Sequence, residues 1–222
     1  MEASATAREE QRGIHLGRWI VGALVAAFLA LLIYGLTTKG HDDRIDKALA
    51  AGRPATAPAF SLEVLDRGAL PARLERSVGG ALGQSKMSLA DLQGTPVVLN
   101  MWASWCTPCR QEAGRLERGW KTLGSRGVLF LGVDIQDLRG DAHSFGKQYG
   151  ITYPSVRDAG RDSANRYGAT GIPETFFIDS RGRVVGHVIG VVSDRQLVDG
   201  ALAAEAGRVA GTSAGGRSFK VR

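Results

Sequence analysis

Cysteine is nearly absent from this chain: two residues in 222. That excludes a disulfide-stapled scaffold and leaves a hydrophobic core to hold the fold. Histidine is scarce too, at four residues. His15, His41, His143 and His187 are scattered, and none is paired at ligand spacing, so the cysteines lack the two further N or S ligands of a structural zinc site. No metal site is expected. The formal charge of +6 contains no block of five or six like charges. Arg67, Arg73, Arg76, Arg110, Arg115, Arg118, Arg126 and Arg139 are interspersed with Asp and Glu, which describes a solvated surface and no nucleic-acid partner. There is no internal repeat.

The longest apolar run is short of charge altogether. Residues 19–36 carry no ionisable side chain except Tyr34, and as a helix they would span roughly 27 Å, enough for a bilayer core. Trp19 and Tyr34 stand near the two ends, where amphipathic rings favour the interface. A long preceding segment, and the lack of a small-x-small site close behind, favour an uncleaved anchor over a cleaved signal peptide. Arg8, Arg12 and Arg18 before the run are balanced by Lys39, Arg44 and Lys47 after it. Orientation therefore follows from the long C-terminal domain, which places residues 1–18 in the cytoplasm and the domain outside. Residues 37–58 read as a tether and residues 207–222, rich in Gly, Ser and basic side chains, as a disordered tail.

Between them, residues 59–206 alternate strand and helix signals. Residues 60–65 alternate apolar and polar as a short strand. Gly and Ser over 77–85 indicate a loop, and 88–94 a capped helical turn. Residues 96–102 and 127–134 are continuous apolar runs, as in strands buried on both faces. Helices are expected over 106–123, 141–149, 162–167 and 194–206, the last with Ser193 as N-cap. An extended piece at 153–156 and a hairpin formed by 175–179 and 183–189 complete a β-α-β-α-(β)-α-β-β-α order, an α/β three-layer sandwich with a mixed sheet.

Both cysteines fall where such folds place their chemistry, at the end of a central strand. In Trp102-Ala-Ser-Trp-Cys-Thr-Pro-Cys109, Cys106 stands at the start of a helix, whose unpaired N–H groups and dipole favour a thiolate. Its pKa is expected to be lowered, and Cys109, one turn on, is within disulfide reach. Pro108 suits a helix's first turn.

This motif, followed by Glu112, resembles the thioredoxin superfamily, and more narrowly the membrane-tethered thioredoxins of the TlpA/ResA/CcmG (DsbE) type. The likeness continues through Gly132-Val-Asp134, Gln148-Tyr-Gly150, Tyr153-Pro154 and Arg166-Tyr-Gly-Ala-Thr-Gly-Ile-Pro-Glu-Thr-Phe-Phe-Ile-Asp179, covering roughly residues 58–205. It implies a thioredoxin-like fold behind one transmembrane helix, and a thiol–disulfide oxidoreductase in which Cys106 attacks and Cys109 resolves the mixed disulfide. The redox-active pair itself is the only cofactor. The resemblance further implies a reductase of protein disulfides, with apocytochrome c as a possible substrate, a membrane thiol as electron donor, and work on the outer face of the cytoplasmic membrane. The alternative is a general reductase or oxidase of secreted proteins. A copper- or haem-handling module using Cys106 and Cys109 ranks lower, because Met101, its third soft ligand, falls inside a strand. A peroxiredoxin fails at the residues: its upstream Pro and Thr would fall at Leu99 and Ala103.

Pro173 matches the family's cis-proline, which lies against the cysteine pair; a cis bond leaves the Ile172 backbone open to an incoming strand. Glu174 matches a carboxylate of the cytochrome c maturation branch and reads equally as a solvent-facing strand residue. Trp105 is expected at the rim. Glu112 shares a helix face with Cys109, so a desolvated carboxyl there would take the Cys109 proton. Ordinary thioredoxins carry a buried Asp where this chain has Asn100. Gly114 stands where the family often has Pro, which puts the expected helix kink in doubt.

Overall fold

The computed structural model describes residues 19–35 and 42–219. Residues 1–18, read above as cytoplasmic, lie outside the described residues, as do 36–41 and 220–222. The chain divides after residue 41 into two units. In the first, α1 is a helix over 19–35, every residue of it exposed. Among the described residues, no helix is long and apolar enough to cross a membrane.

The second unit runs α2 (Arg44–Ala50), β1 (Ala55–Thr56), β2 (Ser61–Asp66), α3 (Ala72–Leu82), β3 (Lys86–Ser88), a 3₁₀ turn (Leu89–Leu92), β4 (Val97–Trp102), α4 (Thr107–Leu123), β5 (Leu129–Ile135), α5 (Arg139–Tyr149), β6 (Ser155–Asp158), α6 (Asp162–Arg166), β7 (Glu174–Ile178), β8 (Arg183–Ile189), α7 (Asp194–Ala206) and β9 (Gly211–Ala214). The sheet order is β1-β8-β7-β4-β5-β6-β2-β3, with β9 also paired to β8. β4, β5 and β6 are parallel neighbours, while β7 runs antiparallel to β4 and β8 antiparallel to β7. This is the mixed sheet expected.

Every residue of β4 and β5 is buried, so the continuous apolar runs do correspond to strands covered on both faces. Leu99 and Met101 enter the main core, whereas Trp102 joins Cys106, Cys109 and Ala113 in a second cluster under α4. Close approach of the layers depends on two glycines. A Cβ on Gly119 of α4 would meet Leu197 Cδ2 of α7 at 2.5 Å, and one on Gly200 would meet the Phe177 ring at 2.5 Å. The capping box at Ser193 and Gln196 starts α7 where expected, and α4 continues unbroken through Gly114.

Three expectations are corrected. The tether over 37–58 is folded from residue 42 onward: α2 buries Ile45 and Leu49 in the core, and β1 pairs with β8. One apolar pair at i, i+4 is enough to dock a helix this short, but too little to show as a period among charges. The loop over 77–85 is helical as far as Leu82, because Leu74, Val78 and Leu82 bury one stripe that outweighs the poor propensity of Gly79 and Gly80. The tail over 207–222 is ordered to residue 219. β9 pairs in parallel with β8, the Gln196 Nε2 amide donates to Ser213 Oγ (2.6 Å) and Ala214 O (2.9 Å), and Phe219 is buried beside Phe177.

Candidate active site

β4 ends at Trp102, and the chain turns through Ala103–Trp105 into α4, with Cys106 as the N-cap. The Cys109 backbone N–H donates to Cys106 Sγ at 3.1 Å, so a helix-terminal donor is aimed at the sulfur that would carry negative charge. Here the two sulfurs are joined in a disulfide. Cys106 is 4% exposed and Cys109 2%, both buried. Thr107 and Pro108 between them are exposed, and Pro108 occupies the first turn.

The turn before the cysteines is held from β5's far end. Asp137 accepts from the Ser104 backbone N–H (2.5 Å) and hydroxyl (2.9 Å), and Trp105 Nε1 donates to Gln136 O (3.1 Å). Trp105 itself is 54% exposed, a rim residue. Behind Asp137, Asp134 is fully buried, and burial, with the Asp137 carboxylate next, pushes its carboxyl up to about 8 against the pull of Arg157.

One turn after Cys109 lies Glu112, with no exposed surface. Its Oε1 accepts from Asn100 Nδ2 (2.8 Å) and its Oε2 from the Val192 backbone N–H (2.8 Å). Burial pushes this carboxyl up to about 7, although Val192, Asn100 and Arg115 all oppose the rise. A carboxyl with this value changes protonation near neutrality. Asn100, at the position of the buried Asp of ordinary thioredoxins, steadies this carboxyl and also donates to Thr175 Oγ1 (3.0 Å).

Ile172–Pro173, expected opposite the cysteines, is joined by a cis peptide bond. Pro173 is buried with its carbonyl accepting from the Gly190 N–H (2.9 Å), while half-buried Ile172 packs on the cysteine cluster. Glu174 is 1% exposed, so it is not the solvent-facing strand residue of the second expectation. Its Oε1 accepts from the Thr170 N–H (2.8 Å), the Thr170 hydroxyl (3.0 Å) and the Gly171 N–H (3.0 Å), gathering the loop that leads into the proline. Its Oε2 lies 2.8 Å from His187 Nε2, and His187 Nδ1 lies 2.8 Å from Asp46 Oδ1. Burial alone would raise the Glu174 carboxyl, but the bonds from His187, Gly171 and Thr170 hold it below its ordinary value. For His187 burial acts downward, and the two carboxylates overcome it, so its pKa is raised. Asp137, and the row that joins Asp46 and His187 to Glu174, were not singled out from the sequence. The available signal was His187 within a strand otherwise wholly apolar from Val184 to Ile189, since a polar group buried there requires partners.

The sequence profile of the AhpC/TSA family matches residues 55–187. Thiol-disulfide oxidoreductase ResA from Bacillus subtilis (strain 168) is 33% identical over 114 residues, which cover 51% of this chain and 64% of that protein. The matched region thus spans less than two thirds of that relative's length. Thiol:disulfide interchange protein DsbE from Pseudomonas fluorescens biotype C is 27% identical over 178 residues, 80% of this chain and 88% of that protein. Among solved structures, a thiol:disulfide interchange protein of the thioredoxin family from Chlorobium tepidum TLS aligns with a TM-score of 0.54 at 30% identity, covering 68% of this chain and 97% of that one.

Proposed function

The chain belongs to the AhpC/TSA family, and from that premise we propose that it is a thiol–disulfide oxidoreductase that reduces protein disulfides during cytochrome c maturation, on the outer face of the cytoplasmic membrane. The observation that carries this reading is the Cys106–Cys109 disulfide at the α4 N-terminus, with buried Glu112 one turn behind. In the reduced protein, the Cys106 thiolate attacks a substrate disulfide and the first substrate thiolate leaves. Glu112 takes the Cys109 proton. The Cys109 thiolate then attacks Cys106 Sγ, the second substrate thiolate leaves, and the pair is left oxidised, two electrons having passed to the substrate. A membrane thiol donor returns the pair to its reduced state. No cofactor beyond the pair is required. Leu99 and Ala103, both buried and apolar, offer no polar group where peroxide chemistry would need one.

The substrate enters as a strand. Among the described residues, Ile172 takes part in no backbone hydrogen bond, which suits it to pair with an extended peptide lying across Trp105 and Pro173. Residues 19–36 act as the membrane anchor. In support, the run carries no charged side chain, and apolar residues such as Leu24, Phe28 and Leu31 are 66%, 62% and 69% exposed around α1.

The test is Cys109→Ser expressed in its native membrane, which stops the reaction at the mixed disulfide. Apocytochrome c captured on Cys106 is the expected result. A broad set of secreted proteins would instead favour general disulfide exchange, and no covalent adduct would end the oxidoreductase reading. A strongly reducing midpoint potential of the pair is expected for a reductase; a value like the most oxidising known pairs would reverse the direction.

A further inference from the structure

Behind the cis-proline, four side chains from distant parts of the chain meet in one row. Asp46 belongs to α2, Glu174 to β7, His187 to β8 and Thr212 to β9. Thr212 Oγ1 donates to Asp46 Oδ1 at 2.7 Å, the same oxygen that faces His187 Nδ1. The imidazole is 2% exposed and stacked on Phe176 at 4.0 Å between ring centroids, 11° from parallel, which fixes its plane. A carboxyl group at each nitrogen favours the imidazolium, in which both nitrogens donate.

We propose that His187 is a positioning residue that, through Glu174, sets the loop over 170–173 for the incoming substrate strand, and that Asp46 ties this setting to the docking of α2. The receiving of a strand rests on the function proposed above. Glu174 gathers three loop donors on one oxygen while His187 engages the other. Those loop bonds are charge-assisted as long as the imidazolium keeps the buried carboxyl ionised. Without it, Glu174 takes up a proton, its acceptor strength falls, and Thr170 and Gly171 are released next to Ile172. Asp46 is the exposed end of the row, 29% accessible at its side chain, and it moves with α2, a helix of one apolar pair. Local opening of α2 therefore reaches the loop through Asp46 and His187, without passing through the cysteines.

The test uses the full-length protein in lipid nanodiscs, comparing Asp46→Asn, His187→Gln and Asp46→Glu with wild type. Four quantities are read: KM and kcat for a synthetic peptide closed by one disulfide, the rate with 5,5′-dithiobis(2-nitrobenzoate), the midpoint potential of the pair, and hydrogen exchange of residues 168–174. Asp46→Asn is expected to raise the peptide KM about fivefold, as for the loss of one hydrogen bond, and His187→Gln to raise it further. Exchange over 168–174 accelerates in both, while kcat, the small-disulfide rate and the potential stay as in wild type. Asp46→Glu restores the peptide KM. Unchanged exchange and KM in Asp46→Asn overturn the proposal, as does a parallel loss with the small disulfide, which would place the effect at the thiols. Should His187→Gln fail to fold, Asp46→Asn decides alone. If wild type does not turn over the peptide but exchange responds to Asp46→Asn, the function reading fails and the positioning role stands.

Discussion

Glu112 and Glu174 are the same residue type at the same depth, 0% and 1% exposed, on opposite faces of one sheet. Thr175, which shares the Asn100 amide with Glu112, alternates with Glu174 along β7. Glu112 accepts from two neutral donors, the Val192 N–H and the Asn100 amide, with the Arg115 charge as a weaker pull, and burial lifts it to about 7. Glu174 meets an imidazole held between two carboxylates, and its carboxyl stays below the ordinary value. Burial acts upward on both, and the carboxyl bonded directly to the imidazole is the one held below its ordinary value. The carboxyl under α4 is raised and the one on the opposite face is lowered.

The comparison breaks most severely at His187. His187→Leu leaves Glu174 and Asp46 without their shared cation, at a cost of about 3–5 kcal/mol of stability, measured by chemical denaturation near neutral pH. In the surviving folded protein, Glu174 should then resemble Glu112, its carboxyl stretch titrating above the ordinary carboxylate range. A loss below about 1 kcal/mol would mean the row contributes little beyond packing.

The next effect is the pH dependence that Glu112 imposes. Its carboxyl rises from 4.5 in the unfolded chain to about 7 in the folded one, so the folded state binds the proton more tightly. Stability from this group is greatest below 4.5, declines as pH rises toward 7, and is lower by about 3 kcal/mol above it. Glu112→Gln should remove that decline. The same variant should slow resolution of the mixed disulfide by about 10²-fold and flatten its pH profile near 7, read by stopped-flow release of the second substrate thiol.

How much of this was legible beforehand follows the range of the interactions. The Cys106–Cys109 pair, the buried strands, the Ser193 cap and the burial of Glu112 all rest on patterns a few residues long. The cis bond at Pro173 came with the resemblance. The Asp46–His187 contact joins residues 141 apart in sequence, with α2 hidden in a stretch that composition marks as a tether. β9 offers no apolar alternation at all; it is held by backbone pairing and by Gln196. Glycines at 79 and 80 masked α3, whose stripe of Leu74, Val78 and Leu82 is regular once the glycines are discounted.

Asn100 sharpens the comparison at the smallest scale, because it touches one glutamate and not the other. Its amide is among the groups that hold Glu112 down against burial. Asn100→Leu keeps the strand buried but withdraws that donor, leaving Oε1 unpartnered. The Glu112 carboxyl should then titrate above 7, with a stability cost of about 1 kcal/mol, that of a single hydrogen bond. The pH at which resolution reaches half its maximal rate should rise with it. Glu174, served from the other face by Thr170, Gly171 and His187, should not move. Two carboxyl bands followed by infrared titration separate these responses. A shift in both would mean that the sheet transmits charge between its faces, and that the partner's charge alone does not account for the difference between the two glutamates.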